Sequence, residues 1–310
     1  MLRIDFRQAR YPQWRFCLCS AFSTYAILAF MAEAFTQKQN SYERGFLKVA
    51  IVVPNYKSTE NLSSSESLLL QQVKKVFDCK SLFFASPQSL YNDHKECLPF
   101  QTVCFDNKFF RDKLTYSKLL CTKEFYESFT DFDYIQIIQT DCWVFEDRLD
   151  YFLSFGFDYI GAPWMKNGFE GKPQPEIWKV GNGGFSLRKV KTFLSIIEAI
   201  KKGKKGRIPV FKDLRTGIYR KLKNNGIRNN LKHYIKNPPG EDIFWSIYVP
   251  EVFSESEFRI ADHQTASSYS FEVFPQFLFE EITSGELPMG CHAWESNDPS
   301  FWSKHIGPFN

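Results

Sequence analysis

The sequence predicts an α/β fold, one doubly wound domain built around a mostly parallel central sheet. Three observations carry this. Lys48–Pro54 (KVAIVVP) is an unbroken apolar, β-branched run, the composition of a parallel strand buried on both faces. Runs of that kind alternate along the chain with segments of helical spacing, which is the pattern of strands joined by helical crossovers. Another run, Tyr134–Ile138 (YIQII), stops at Gln139-Thr140-Asp141 before apolar character resumes at Cys142-Trp143-Val144-Phe145. A carboxylate in the middle of a buried stretch is costly unless something pairs with it. Ligands of open α/β sheets bind at the carboxyl ends of strands, so Asp141 stands where a site is expected; an Asp closing a strand or turn is the plainer explanation.

The elements follow in order. After the first strand, Pro54-Asn55-Tyr56 ends the run, and Glu66–Phe77 shows helical spacing at Leu69, Leu70, Val73, Val76 and Phe77. Ser81–Ala85 and Gln101–Phe105 read as the second and third strands, with a turn at Pro87–Leu90 between them. Tyr116–Phe129 reads as one amphipathic helix leading into the 134–145 strand. Asp158–Trp164 (DYIGAPW) is a strand ending in a turn, and a Gly/Pro/Lys-rich loop follows it. No GxGxxG follows the first strand and no GxxxxGK[ST] occurs anywhere, which argues against a dinucleotide or P-loop site.

Composition sets the class. The chain has 310 residues, 44% of them hydrophobic, with 33 Phe and 14 Tyr, enough for a large aromatic-rich core. A net charge of +4 is too mild to imply nucleic acid as a partner. Eight cysteines are scattered without CxxC spacing and stand mostly beside apolar residues. That pattern argues against a zinc module and for free thiols in a reducing, cytoplasmic compartment.

Two segments stand apart from the core pattern. Residues 1–45 form a prefix in which Arg3, Arg7, Arg10 and Arg15 precede an apolar run, Phe16–Phe35. That run is long enough to span a bilayer, and the basic flank would set the N-terminus inside. Ser20, Ser23, Thr24 and Glu33 dilute it, so a helix packed on the domain or lying on a membrane surface is the preferred reading. Lys201–Lys236 holds 13 Lys or Arg against one acid, Asp213, with Val210, Phe211, Leu214, Ile218, Tyr219 and Leu222 interleaved. Its charge suits an anionic membrane or a phosphorylated acceptor; a solvated face or nucleic-acid phosphate remains open.

Three further motifs carry chemistry. Val180–Arg188 (VGNGGFSLR) places Gly181, Gly183 and Gly184 around Asn182, a composition that allows close backbone approach to a ligand. A hairpin turn accounts for Asn-Gly but not for the third glycine. Gly240–Trp245 sets Glu241 and Asp242 before an aromatic run, either as first-turn acids favoured by a helix dipole or as a general base facing a pocket. Phe271-Glu272 and the apolar-flanked His292 in Met289–Trp294 (MGCHAW) close the series. A histidine so placed is a satisfied core residue, a metal ligand or a phosphate contact.

In this order, VVPNYK, YIQIIQTDCWVF, DYIGAPW, VGNGGFSLR, GEDIFW, FE and GCHAW, the motifs resemble a bacterial family of domains of unknown function, number 5672, regarded as GT-A-like glycosyltransferases of polysaccharide gene clusters. The resemblance runs from about Lys48 to about Trp302 and leaves residues 1–45 outside. It implies a single GT-A domain over 46–310 using a nucleotide-sugar donor, with Pro54, Asn55 and Tyr56 at the nucleotide end of the first strand. It puts Asp141 in the place of a metal-binding DxD motif, with Gln139 on the donor side. Thr140 and Cys142 flank that single Asp, so a complete DxD is absent. His292 falls where a late-chain metal ligand is supplied, and Asp141 and His292 with diphosphate oxygens and water would complete an octahedral Mn²⁺ or Mg²⁺.

The same resemblance assigns Asp242, with Glu241 second, as the carboxylate that takes the acceptor proton in an inverting transfer. It lines the sugar and acceptor side with Gly181, Asn182, Gly183 and Gly184, offers Trp164 as a stacking face, and lets Tyr116 and Lys118 reach the nucleotide or diphosphate. The expected protein is a cytoplasmic enzyme at the inner face of the membrane. It would add a sugar to a lipid-linked or surface polysaccharide such as lipopolysaccharide or capsule, with membrane contact through 16–35 or 201–236. The rivals are an inactive binding module and a metal-dependent nucleotidyltransferase or phosphotransferase. The latter would need a second carboxylate beside Asp141, and Glu146 and Asp147 lie beyond Phe145.

Overall fold

The structure, a computed structural model, describes residues 47–166, 175–203 and 230–307. The expectations for 1–45, including the Phe16–Phe35 run, and for most of the basic 201–236 segment lie outside the described residues. Among the described residues no helix is long and apolar enough to cross a membrane.

The central sheet has six strands in the order β3-β2-β1-β4-β9-β6. These are β1 (Val49–Pro54), β2 (Ser81–Pro87), β3 (Gln101–Phe105), β4 (Tyr134–Ile138), β6 (Tyr159–Ile160) and β9 (Phe185–Lys189). β1 pairs in parallel with β2 and with β4, and β2 in parallel with β3. β9 runs antiparallel to both β4 and β6. The sheet is therefore mostly parallel, as the apolar runs predict. All six residues of β1 are buried, and the pleat sends Ala50 and Val52 to one face and Val49, Ile51 and Val53 to the other. Burying one such Val or Ile contributes about 1.5–3 kcal/mol, which is why the central strands admit so few polar residues. The exception within β4, Gln136, is satisfied by Tyr269, whose hydroxyl donates to its carbonyl.

Helix α1 (Ser64–Val76) follows β1 and opens on a capping box, Ser63 with Glu66. The stretch expected as one helix over 116–129 is two, α2 (Lys113–Leu119) and α3 (Lys123–Glu127). Thr122 makes the break: its hydroxyl donates to the Leu119 carbonyl and accepts from the Phe125 amide, ending one helix and capping the next. The 134–145 strand is likewise two. β4 stops at Ile138, and after the turn at 139–141 the chain re-forms as β5 (Cys142–Val144) in a separate three-stranded sheet, order β10-β11-β5, with β10 (Ser270–Phe271) and β11 (Gly290–His292).

The Asn-Gly-Gly segment is not a hairpin turn. β8 (Ile177–Gly181) pairs with β7 (Ala162–Met165) in a two-stranded sheet, whereas β9 pairs with β4 and β6. Residues 182–184 thus carry the chain from one sheet to another. Helix α4 (Val190–Lys201) then packs Phe193, Ile196, Ile197 and Ile200 into the core, and a short helix, α5 (Glu241–Ile243), continues as a π-helical turn over Phe244–Tyr248.

Candidate functional site

The small sheet sets three side chains in a row. β10 pairs in parallel with β11 (Phe271 with Cys291), and β11 pairs antiparallel with β5 (His292 with Cys142). Glu272, one residue past Phe271, and Asp141, one residue before Cys142, therefore flank His292. The contacts follow: His292 Nε2 lies 3.3 Å from Asp141 Oδ1, and His292 Nδ1 lies 3.1 Å from Glu272 Oε1. Burial works against a charged imidazole here, but the hydrogen bonds to Asp141 and Glu272 and their negative charges outweigh it and push the His292 pKa up to about 10. Burial likewise opposes the Asp141 carboxylate, and the hydrogen bond from His292 reverses that and holds its pKa below the usual value.

The turn that presents Asp141 is tied down at its base. The Gln139 amide donates to the Gly184 carbonyl (2.8 Å), as does the Cys142 thiol (3.2 Å). Gly184 in turn donates its amide to the Asn182 side-chain carbonyl at 2.8 Å, and Asn182 adopts φ 74°, the left-handed conformation that asparagine tolerates. From the other side, Thr140 donates to Glu66 (3.1 Å), which also pairs with Lys57 at 2.9 Å. The end of β4 is thereby anchored to β9 and α1 together.

These residues open on a cavity of about 540 Å³. Pro54, Tyr56, Tyr116, Gln139, Asp141, Gly183, Gly184, Glu241, Asp242 and His292 of the sequence-derived set line it. Asn55, Lys118, Trp164, Gly181 and Asn182 do not. Asn55 is buried and gives its amide to His94 (3.1 Å). Trp164 is 6% exposed, its indole over Gly181, where a Cβ would fall 2.1 Å from the ring. Glu146 and Asp147 stay with Arg148 and Lys80.

The adjacent acids have different surroundings. Glu241 is buried and its Oε1 sits 2.8 Å from Arg188 Nη2, itself fully buried and bonded to Ser186 and Tyr126. Its other oxygen has no hydrogen-bond partner among the described residues. Burial pushes its pKa up, against the pull of Arg188. Asp242 has no ion pair among the described residues. It accepts the Ile243 amide at 2.8 Å. Burial, with the charge of Glu272, raises its pKa above the ordinary value.

The sequence reading missed Arg111, Lys113, Glu66 and Glu272 as lining residues. Arg111 and Lys113 enter through the start of α2, and the charge of Lys113 bears on Asp141, Glu241 and Asp242. Placing α2 at 113, through the Asp112-x-x-Thr115 capping box, is the signal that would have found them.

A divalent cation fits this row better than Cys142 suggests. Asp141, Cys142 and His292 offer ligand atoms within 4.8 Å of one another. The Cys142 thiol, however, is buried, which pushes its pKa well up, and it donates to Gly184. A neutral thiol is a poor ligand for a hard cation, so the usable set is the Asp141 carboxylate and, once a cation displaces the proton it now shares with Asp141, His292 Nε2, an oxygen and nitrogen pair suited to Mn²⁺ or Mg²⁺.

An α/β domain with a mostly parallel sheet and a cavity at the carboxyl ends of β1 and β4 is the arrangement that the GT-A resemblance implies. Residues 99–292 match the family model described as "Protein of unknown function (DUF5672)", and the chain belongs to that family. No curated protein matches the chain. Solved structures similar to it include mouse xyloside xylosyltransferase 1, 11% identical, covering 79% of this chain and 97% of that one, with a TM-score of 0.42. The galactosyltransferase LgtC with donor and acceptor sugar analogs is 10% identical over 78% and 86% of the two chains, TM-score 0.42. Glycosyltransferase GlyE of Streptococcus pneumoniae TIGR4 is 15% identical over 80% and 55%, TM-score 0.43.

Proposed function

We propose that the protein is a glycosyltransferase that moves a sugar from a nucleotide-sugar donor to a hydroxyl acceptor. One observation carries the reading. A carboxylate with a raised pKa and no ion pair among the described residues, Asp242, lines the same cavity as the Asp141–His292 pair. The two chemical demands of glycosyl transfer, a proton acceptor and a seat for a charged leaving group, are met in one cavity.

The nucleotide enters at the end of β1, beside Pro54 and the exposed ring of Tyr56. Lys113 and Arg111 bring positive charge to the diphosphate. Asp141 and His292 would hold a divalent cation, which supplies charge neutralisation to the departing diphosphate. Asp242 takes the proton of the acceptor hydroxyl as that oxygen bonds to the anomeric carbon. The bond from that carbon to the diphosphate oxygen breaks, its electron pair leaves with the diphosphate, and the anomeric configuration inverts. Glu241, locked to Arg188, keeps Asp242 and the Gly183 backbone in place; a Cβ on Gly183 would meet Glu241 Oε1 at 1.8 Å.

The family resemblance supplies the acceptor class, a lipid-linked or surface polysaccharide such as lipopolysaccharide or capsule, and with it a cytoplasmic enzyme working at the inner face of the membrane. The basic 201–236 segment supports that location by its charge.

The test is a thermal-shift screen against UDP-, GDP-, CMP- and dTDP-sugars, with and without Mn²⁺. A ligand of the native state at 100 times its Kd adds about 2.7 kcal/mol. A manganese-dependent shift with one nucleotide supports the reading, and Asp242→Asn should then abolish turnover while sparing donor binding. No shift with any donor favours a binding module acting through its basic segment.

A further inference from the structure

The third member of the row, Glu272, is neither a cation ligand nor a base in the mechanism above. We propose that Glu272 is the positioning residue of the cation site: it fixes the tautomer and plane of His292 so that Nε2, paired with Asp141, is presented to a divalent cation. The inference rests on the glycosyltransferase reading for its purpose but not for its geometry.

A carboxylate only accepts hydrogen bonds, so the Glu272 oxygen 3.1 Å from Nδ1 requires the proton there. In the metal-free protein both ring nitrogens face carboxylates and carry protons; because Glu272 keeps the one on Nδ1, the proton a cation displaces is that on Nε2, the nitrogen 3.3 Å from Asp141. Rotating the ring by half a turn would put a carbon in place of Nδ1 and forfeit the Glu272 bond. Gly184 closes the remaining side, since a Cβ there would lie 2.3 Å from His292 Nε2 and Cδ2. The ring is thus held by a hydrogen bond at one nitrogen and a backbone wall against its face.

The arrangement also answers the incomplete DxD. A DxD motif brings two carboxylate charges to its cation, and this turn brings one, Asp141. Glu272 brings the second negative charge to the site through its hydrogen bond with the imidazole, without touching the cation. β10 fixes the distance: Glu272 follows Phe271, which is in register with Cys291, so the carboxylate stands at the Nδ1 edge of His292, away from Nε2 and Asp141.

The probe is Mn²⁺ alone on the full chain, with affinity read by calorimetry and by loss of the free-ion EPR signal, and the His292 tautomer by ¹⁵N NMR of the metal-free protein at high pH, where the ring is neutral. Loss of such a partner typically weakens a metal site about 10–100-fold. Glu272→Ala is expected to fall in that range and to lose the fixed Nδ1–H tautomer. Glu272→Gln, whose carbonyl still accepts from Nδ1–H, should restore the tautomer and part of the affinity. A Glu272→Ala protein that binds Mn²⁺ as tightly as wild type overturns the inference, and so does a wild type that binds no Mn²⁺. In the latter case a donor-induced thermal shift without metal would leave glycosyl transfer standing. Should Glu272→Ala not fold, Glu272→Gln decides, and an affinity equal to wild type overturns the inference.

Discussion

The imidazole of His292 lies so close to the α-carbon of Gly184 that a methyl group there would meet Nε2 at 2.3 Å. The third glycine of the Gly181–Gly184 segment is therefore a packing surface for the candidate cation ligand, not a flexible link. Gly184→Ala should push the ring out of line with Asp141 while leaving the central sheet paired. The expected result is a loss of Mn²⁺ affinity of about tenfold or more, the size typical of a disturbed metal surround, read by calorimetry on folded protein.

Glu241 and Arg188 form a buried pair at 2.8 Å, with side-chain exposures of 5% and 0%. Breaking one partner of such a pair leaves an uncompensated buried charge and costs about 3–5 kcal/mol. Glu241→Ala should lose stability on that scale in urea denaturation. The double variant Glu241→Leu with Arg188→Met should be less destabilised than the sum of the single changes, because it strands no charge. Turnover falls whether Glu241 holds Asp242 or is itself the base, so it is the stability loss, not activity, that reports the ion pair.

Lys113 reaches the cavity with its charge directed at Asp141, Glu241 and Asp242, and has no ion pair among the described residues. Lys113→Met should weaken binding of the diphosphate-bearing donor by about 1.5–3 kcal/mol, the worth of a charge-assisted hydrogen bond, and leave nucleoside binding unchanged. Calorimetry with the nucleoside and its diphosphate as a pair isolates the phosphate share.

Much of this was legible in the sequence. The apolar runs at 49–54 and 134–138 became the central strands because continuous β-branched composition has few other uses. Asp141 and His292 were visible as polar residues set in apolar surroundings, Asp242 as half of an acid pair before an aromatic run, and all three line one cavity. Trp164 shows the limit: the resemblance offered it as a stacking face, whereas the structure packs it, 6% exposed, over the bare backbone of Gly181. Glu272 was quoted only as part of a motif, because its partner lies 20 residues away and only the β10–β11 register brings them together. The break at Thr122 was hidden because apolar spacing continues through it; the hydroxyl that ends the helix carries no periodicity.

Asp242 gives a pH dependence with a definite sign. Burial raises its pKa in the folded protein above the ordinary 3.8, the amide of Ile243 opposing and the charge of Glu272 adding. Below 3.8 the carboxyl is protonated in both folded and unfolded chains, and the group contributes no pH dependence. As pH rises through 3.8 toward the raised value, the unfolded chain gives up its proton first. The folded state then binds more protons than the unfolded state, and stability falls across that window. Asp242→Asn removes the titration. Metal-free wild type should therefore lose stability relative to Asp242→Asn as pH is raised from about 4, levelling off above the folded pKa, in urea melts of both proteins across the range. A difference that is flat with pH would mean that Asp242 is solvated like a surface carboxylate. Its place as the proton acceptor would then pass to another cavity carboxylate.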